Sequence, residues 1–490
     1  MTTSETGGAL SFEATSFVPH PQAQVFAWHE RPGAFSRLTP PWETVEVLAR
    51  QGTIRDGDVA LLKVQAGPLR LVWEARHFGF EPGVEFKDEQ VRGPFSRWVQ
   101  THRFTPAPGG TTIQDLVDYQ VPGGALGRAF GRGSVEAKLL RLFSYRHEAL
   151  AADLTRHAAY TGPPLRILVA GGSGLVGRAL CAFLSTGGHD VYRLVRPDSQ
   201  VPADAVGTGV AWQPREGILD VRALPPLDAV INLAGENVAG GRWTDARKKR
   251  FRTSRVDLTR FLAESLAAMN PRPKVFLNAS AMGIYGPRGD EPLTEESAVG
   301  TGYLAELCQD WEAATEPARR AGIRVAMPRI GLVLAPREGV LGKLLPAVRA
   351  GVGGRLGSGK QWMSWVALDD LVGALHHALV DESLEGPFNV AAPGAETNAV
   401  FTETLGHILK RPTFLPVPAA ALKLAFGEMG EMAMSSVLMR PERLTRAGFS
   451  FRFDKLEDAL AHLLGTNPLP RLTRTATGAA ATYLARSATG

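Results

Sequence analysis

Three glycines spaced three apart, Gly171, Gly174 and Gly177, follow the apolar run ILVA and precede a stretch with Val176, Leu180, Phe183 and Leu184 on one helical stripe. That placement suits an anion. The first glycine permits a tight turn, the second lets main-chain amides approach a diphosphate, and the third lets helix and strand pack closely. The helix N-terminus adds partial positive charge at the same point. Gly171, Ser173, Gly174, Leu175, Val176 and Gly177 are therefore the candidate contacts to a dinucleotide. A second apolar run, DVYRLVR, comes after Gly187-Gly188, as a strand–helix–strand unit requires. It ends on Arg196, where a site for the unphosphorylated nucleotide usually carries Asp or Glu. A guanidinium suits a ribose 2′-phosphate through charge-assisted bonds. NADP(H) is favoured on that ground, while Asp198 keeps NAD(H) possible and a solvated loop residue is the competing reading of Arg196.

Such a loop needs a parallel sheet to hold it. From Arg166 onward, short apolar runs alternate with helical stretches: RILVAG, DVYRLVR, DAVINLAG, KVFLNASA and RVAMPRIGLVL. Fully apolar strands of this kind indicate a parallel sheet covered on both faces. The preceding segment reads differently. FEATSFVP, LRLVWEARHFGFEP and TTIQDLVDYQVP alternate apolar and polar residues. A helical stretch then carries Val135, Leu139, Leu142 and Phe143 on one stripe, so a curved antiparallel sheet closed by a long helix is expected. The Gly/Pro-rich AYTGPPL separates the two halves.

The bulk numbers exclude several classes. With 490 residues, 44% hydrophobic and 21% charged, the chain has the composition of a multidomain globular protein. The 54 basic residues against 49 acidic ones, with no basic block, argue against a nucleic-acid partner. Cys181 and Cys308 make no disulfide framework, and no Cys/His spacing suggests a metal site. The start lacks a basic region followed by an apolar one, and no 18 apolar residues run together. A cytoplasmic protein without membrane insertion is expected.

The pattern A-G-x-x-G-x-x-G from Ala170 resembles that of extended short-chain dehydrogenases/reductases. The stretch INLAGENVAGGRWTDARKKRFRTSRVDLTRFL, with WEAA at Trp311, RIGLVL at Arg329, GSGKQWMSWVALDDL and PVPAAALKLAFGEM…RPERLTRAGFSF, resembles one atypical branch, the NAD(P)-dependent epimerase-like family. Members are often labelled sugar-nucleotide epimerase or cell division inhibitor. The resemblance covers about residues 165–465 and implies that Leu233, Ala234 and Gly235 close the fourth parallel strand against the cofactor. It further implies that Arg255 reaches the cofactor phosphates and that Val333 passes the nicotinamide; a helix-surface charge is the competing reading of Arg255.

Typical members of that superfamily carry Tyr-x-x-x-Lys, whose ammonium lowers the phenol pKa for proton transfer. Here Tyr303 is followed four residues on by Leu307, which supplies no charge, so Tyr303 reads as a packed aromatic. Ser280 and Tyr285 in NASAMGIYG are the remaining catalytic candidates: either they bond a substrate carbonyl or the nicotinamide amide, or they cap a strand and shape a wall. Trp362 and Trp365 are read either as substrate-cavity lining or as core. His376-His377 reads as a helix-surface pair rather than a metal site.

The passage VFAWHERPGAFSRLTPPW, in its order of elements, resembles the polyketide cyclase/START-like (SRPBCC) superfamily with its helix-grip fold, over about residues 10–155. The resemblance implies a cavity for an apolar ligand, lined by residues such as Trp73, Trp98 and Phe104, with a solid core as the alternative. The expected architecture is an α/β Rossmann fold, a doubly wound parallel sheet, preceded by an α+β helix-grip domain. The expected division is 1–158 helix-grip domain, 159–165 linker, 166–390 Rossmann domain, 391–465 small C-terminal domain and 466–490 disordered tail. An NADP(H)-binding oxidoreductase or epimerase-like enzyme acting on a small-molecule substrate is the first expectation. A nucleotide-sensing protein without turnover is the second.

Overall fold

A computed structural model describes residues 9–67, 69–214, 216–219, 224–468, 473–474 and 480–484. The front of the chain begins with β1 (Leu10–Val18), which buries every second residue because Leu10, Phe12, Ala14, Ser16 and Val18 share one face of the pleat. After α1 (Gln22–Glu30) and α2 (Ala34–Leu38) come β2 (Val45–Gln51), β3 (Val59–Ala66), β4 (Leu69–Glu81), β5 (Glu85–Arg92), β6 (Arg97–Ala107) and β7 (Gly110–Gln120). Each pairs antiparallel with the next, and β7 pairs with β1. The 34-residue α3 (Gly124–His157) lays Leu139, Leu140 and Phe143 on the inward residues of β1 and β7. Phe12 and Phe143 stack at 5.7 Å. This is the helix-grip arrangement.

The second sheet is built from β8 (Arg166–Ala170), α4 (Leu175–Thr186), β9 (Asp190–Val195), β10 (Thr208–Ala211) and β11 (Ala229–Asn232). Next come α5 (Asp245–Arg252), a π turn over Thr253–Asp257, α6 (Leu258–Ala267), β12 (Val275–Asn278), β13 (Ser280–Ala281) and β14 (Pro292–Leu293). The run continues through α7 (Tyr303–Ala313), α8 (Glu316–Arg320), β15 (Arg324–Ile330), β16 (Leu332–Leu334) and α9 (Gly339–Arg349). It ends with β17 (Trp362–Met363), β18 (Trp365–Ala367), α10 (Leu368–Val380) and β19 (Gly386–Val390). The sheet order is β10-β9-β8-β11-β12-β15-β13, with β19 also on β15, and every pairing is parallel. Strands β11 and β12 are buried at every residue because helices cover both faces. Leu180, Phe183 and Leu184 of α4 pack with Leu371 and Leu375 of α10 on one side; Leu262 and Leu266 of α6 lie on the other. The chain moves outward from β8 through β9 to β10 and then returns to lay β11 on the opposite edge of β8. That reversal opens a crevice at the carboxyl ends of β8 and β11, where Rossmann folds take their ligands.

The remaining elements are β20 (Glu396–Thr397), α11 (Asn398–Leu409), α12 (Ala419–Phe426), α13 (Glu428–Ala433), β21 (Leu438–Met439), α14 (Glu442–Arg446) and α15 (Leu456–Leu464). They interlock with the preceding unit: β21 pairs with β14, β20 with β17, and Trp365 shares a core with Leu341, Phe401 and Leu460. Two expectations need correction. Within the tail expected to be disordered, Thr473–Arg474 forms β22 and Ala480–Leu484 forms β23, which runs parallel to β1 over Ser11 to Thr15; residues 469–472, 475–479 and 485–490 lie outside the described residues. An open edge strand offers a row of unpaired amides and carbonyls, which recruits such a segment despite its plain composition. His376 is not a surface residue but 2% exposed, against Phe183 and His157, because α10 lies beneath both domains.

A charge cluster joins the halves. Arg37 of α2 binds Asp153 of α3 through two bonds of 2.7 and 2.8 Å and also reaches Asp369 of α10 at 2.9 Å. Arg156 pairs with Asp370, whose carboxylate also accepts from the amides of Arg452 and Phe453. The two sheets and the C-terminal helices are thereby tied at one point.

Candidate functional site

The glycine loop shows why those positions carry no side chain. Gly171 sits at φ +82°, and a Cβ on it would lie 2.7 Å from the main-chain carbon of Leu233. The loop after β8 thus rests directly on the loop after β11. A Cβ on Gly177 would lie 2.2 Å from the Gly171 carbonyl oxygen. Gly174 differs: only that same oxygen comes near, at 3.4 Å, and the residue is exposed at the start of α4 with Ser173. The loop is tight behind and open in front, at a helix N-terminus whose first amides have no partner within the helix. These residues fit a diphosphate.

Around the loop, Leu233 and Ala234 are half-buried and Gly235 is exposed. Asn232, fully buried, fixes this turn by accepting from the Ala234 amide at 3.2 Å and donating to Thr259 and Asn278 at 2.9 and 2.7 Å. Arg255 is no surface charge. Its guanidinium lies 5.1 Å over the Trp311 ring, packs against Gly235 and donates to the Glu236 carbonyl at 3.0 Å. Burial lowers its pKa. Arg196, just past β9, is exposed, and its Nε lies 3.9 Å from Asp198. Val333 is half-buried in β16, paired with Val366 of β18.

The hydroxyl candidates are all engaged. Tyr303 donates to the Lys248 carbonyl at 2.9 Å, with its ring against Trp243. Burial raises its phenol pKa, the opposite of what proton transfer near neutrality needs. Ser280 donates to Glu312 at 2.6 Å. Glu312 is held by both Nε and Nη2 of Arg329 at 2.9 Å. Arg329 also donates to the Tyr285 hydroxyl at 3.0 Å, and that hydroxyl donates to Asn389 at 2.7 Å. Ser280 and Tyr285 therefore belong to one buried chain of bonds with Glu312, Arg329 and Asn389. Sequence reasoning missed the last three; the one visible signal was charge inside WEAA and RIGLVL. Trp365 is fully buried and donates to the Gly394 carbonyl, whereas Trp362 is half-buried and donates to Asp290. Among the described residues no group of three or more His, Cys, Asp or Glu side chains is placed to hold a metal ion, and no helix is long and apolar enough to cross a membrane.

The front domain's interior is not uniformly apolar. Phe104, Trp98 and Phe26 are buried there and Trp73 packs edge-on to Trp98 at 5.2 Å. Between them, Asp115 of β7 accepts from His102 of β6 and from His147 of α3, the latter at 2.6 Å. Among the described residues, Ser16, Gln100 and Ser144 each carry a buried polar atom without a partner, as does Nδ1 of His147.

Residues 167–391 match the NAD dependent epimerase/dehydratase family, residues 18–143 the family of polyketide cyclase/dehydrase and lipid transport proteins, and residues 417–463 a domain of unknown function. An epimerase family protein of Mycobacterium bovis is 41% identical over 297 residues, which is 60% of this chain and 96% of the relative. The chain belongs to the epimerase family. Human SDR39U1, another epimerase family protein, is 33% identical over 61% of this chain and its own full length. A structure of the human protein with NADPH aligns at TM-score 0.57, 31% identity, over 62% of this chain and all of that one. The crystal structure of a nucleoside-diphosphate sugar epimerase from Corynebacterium glutamicum aligns at TM-score 0.75 and 34% identity over 93% of this chain and 91% of that one. The match to this epimerase thus extends through the front domain, which the human alignment does not reach.

Proposed function

We propose that the chain binds NADP(H) across the crevice at the carboxyl ends of β8 and β11 and acts there as an oxidoreductase or epimerase-like enzyme on a small molecule. The loop at 171–177 carries the reading, being closed behind Gly171 and Gly177 and open at Gly174. The neighbouring human structure holds NADPH, which supports the phosphorylated coenzyme. Bound nicotinamide would supply hydride transfer. The chain's own groups would position it: the Leu233–Gly235 turn fixed by Asn232, and Ser280, itself held by Glu312 on Arg329. The helix-grip domain, whose relatives include lipid transport proteins, would hold an apolar ligand and present it to the crevice. Titration calorimetry with each coenzyme, followed by a screen of carbonyl and sugar-nucleotide substrates for coenzyme oxidation, tests this. Binding without any turnover would favour the second reading, a nucleotide-sensing protein. The engagement of Ser280, Tyr285 and Tyr303 with protein partners motivates that reading. Scattering profiles with and without NADPH would then show the domains rearranging.

Arg196→Ala is expected to weaken NADPH binding about 10- to 150-fold, the worth of one charge-assisted contact of about 1.5–3 kcal/mol, and to spare NADH. Equal losses for both would mean that the 2′-phosphate is read elsewhere.

A further inference from the structure

One buried arginine, Arg193, is bonded to no carboxylate among the described residues. Arg193 of β9 is 4% exposed, yet among the described residues its guanidinium makes only two long bonds, from Nε and Nη2 to the Gly207 carbonyl at 3.4 and 3.3 Å. The other fully buried arginines show what burial normally demands. Arg37 holds Asp153 through two bonds, and Arg329 holds Glu312 through two. A guanidinium taken out of water without an anion is unfavourable, so an anion from outside the chain is expected beside Arg193.

The surroundings say where. The stem of Arg193 runs beneath the glycine loop: a Cβ on Gly172 would meet its Cγ and Cδ at 3.1 Å. Arg193 opens into a cavity of about 290 Å³ between the two domains, walled by Gly172 and Ser173 on one side and by Ser36 of α2 on the other. Of the three acids in the wall, Glu338 is paired with Arg178, Asp369 is bonded by Arg37 and His462, and the third is Asp204. Arg337 adds a further cation, anchored on the Glu43 carbonyl of the front domain. The lining thus holds four arginines, Arg37, Arg178, Arg193 and Arg337, against three carboxylates, and it adjoins the glycine loop.

We propose that Arg193 is the floor of a phosphate-binding site in the interdomain cavity, to which Ser173 brings a hydroxyl from the glycine loop and Ser36 one from the front domain. The phosphate group is either the 2′-phosphate of the coenzyme, an assignment that rests on the function proposed above, or that of a separate phosphate monoester. In both cases the front domain forms part of the site. A guanidinium donates several charge-assisted bonds to such an oxyanion.

Titration calorimetry on the full chain with NADPH, NADH and inorganic phosphate decides it, comparing wild type with Arg193→Leu and Arg193→Lys. Leucine is expected to weaken NADPH at least tenfold, to leave NADH within twofold and to abolish phosphate binding, while lysine retains most of the affinity. Loss of phosphate binding alone, with both coenzymes unchanged, keeps the site and assigns it to a separate phosphorylated ligand. Unchanged phosphate and NADPH binding overturns the proposal. So does an equal loss for both coenzymes with a lowered melting temperature, which would make Arg193 a structural prop. A wild type that binds neither coenzyme sinks the coenzyme reading instead, and the phosphate titration still tests this site.

Discussion

Gly174→Ala is expected to cost about 100-fold in NADPH affinity, about 2.7 kcal/mol, while leaving the unfolding free energy of the uncomplexed protein unchanged. The two effects separate because of what an added methyl group meets. At Gly174 the backbone is at φ −75° and ψ 171°, a conformation open to alanine, and the nearest atom to a new Cβ is the Gly171 oxygen at an ordinary 3.4 Å. Nothing in the fold resists it, but the methyl occupies the surface that the diphosphate must approach. Gly177→Ala is the contrast. There the new Cβ lies 2.2 Å from the Gly171 oxygen and 2.7 Å from the Gly172 Cα, both backbone atoms that cannot rotate away. The loop must shift off α4, so stability falls by about 1–3 kcal/mol as in other overpacked cores, and binding falls with it. Calorimetric titration of both variants, with urea unfolding of each without coenzyme, checks the pair. Wild-type affinity in Gly174→Ala would show that no diphosphate lies over this loop.

The parts of this reading visible in the sequence are those that a short window carries. The glycine triplet, the apolar strand before it and the helical stripe after it span Ile167 to Leu184, and each depends only on neighbours. The alternation in β1 and β7 is local in the same way. What stayed hidden is pairing across distance. Nothing near Tyr303 announces that its hydroxyl ends on the Lys248 carbonyl, 55 positions away. Ser280 and Tyr285 look like free hydroxyls until Glu312, Arg329 and Asn389 arrive from other strands and helices. Arg193 reads as one more residue of an edge-side strand, and its burial follows from the loop at Gly172 above it and the Gly207 carbonyl beside it. Arg255 reads in sequence as facing either cofactor or solvent, and its position against Gly235 lies within a π turn that no local pattern announces. In each case the deciding atom belongs to an element remote in sequence.

Stability is expected to fall on both sides of about pH 6.5, by on the order of 3 kcal/mol toward pH 9 and by a comparable or larger amount toward pH 4. The alkaline limb belongs to His102. Burial alone would lower its pKa, but the Asp115 carboxylate bonded to it, with Asp88 beyond, raises it to about 9. A raised value in the folded state means that the native protein holds a proton which the unfolded chain, at 6.5, has released. This stabilisation is complete below 6.5 and disappears as pH climbs through 9. The acid limb belongs to imidazoles buried without a carboxylate bonded to them. Burial drives His29 and His189 down to about 4 and His376 to about 3. Their stabilisation is present above 6.5 and is lost as pH falls through 4 and 3, because the unfolded chain takes up protons that the fold excludes. Urea unfolding at pH 6.5 and pH 9 should show the alkaline loss in wild type and its absence in His102→Gln, whose amide keeps a hydrogen bond to Asp115 without titrating. His376→Leu should lift the acid limb alone, since Nε2 of His376 has no partner to forfeit among the described residues. Equal wild-type stability at pH 6.5 and pH 9 would mean that His102 carries no proton inside the front domain. Asp115 would then be an uncompensated buried carboxylate, and the polar centre of the helix-grip interior would need another source of charge.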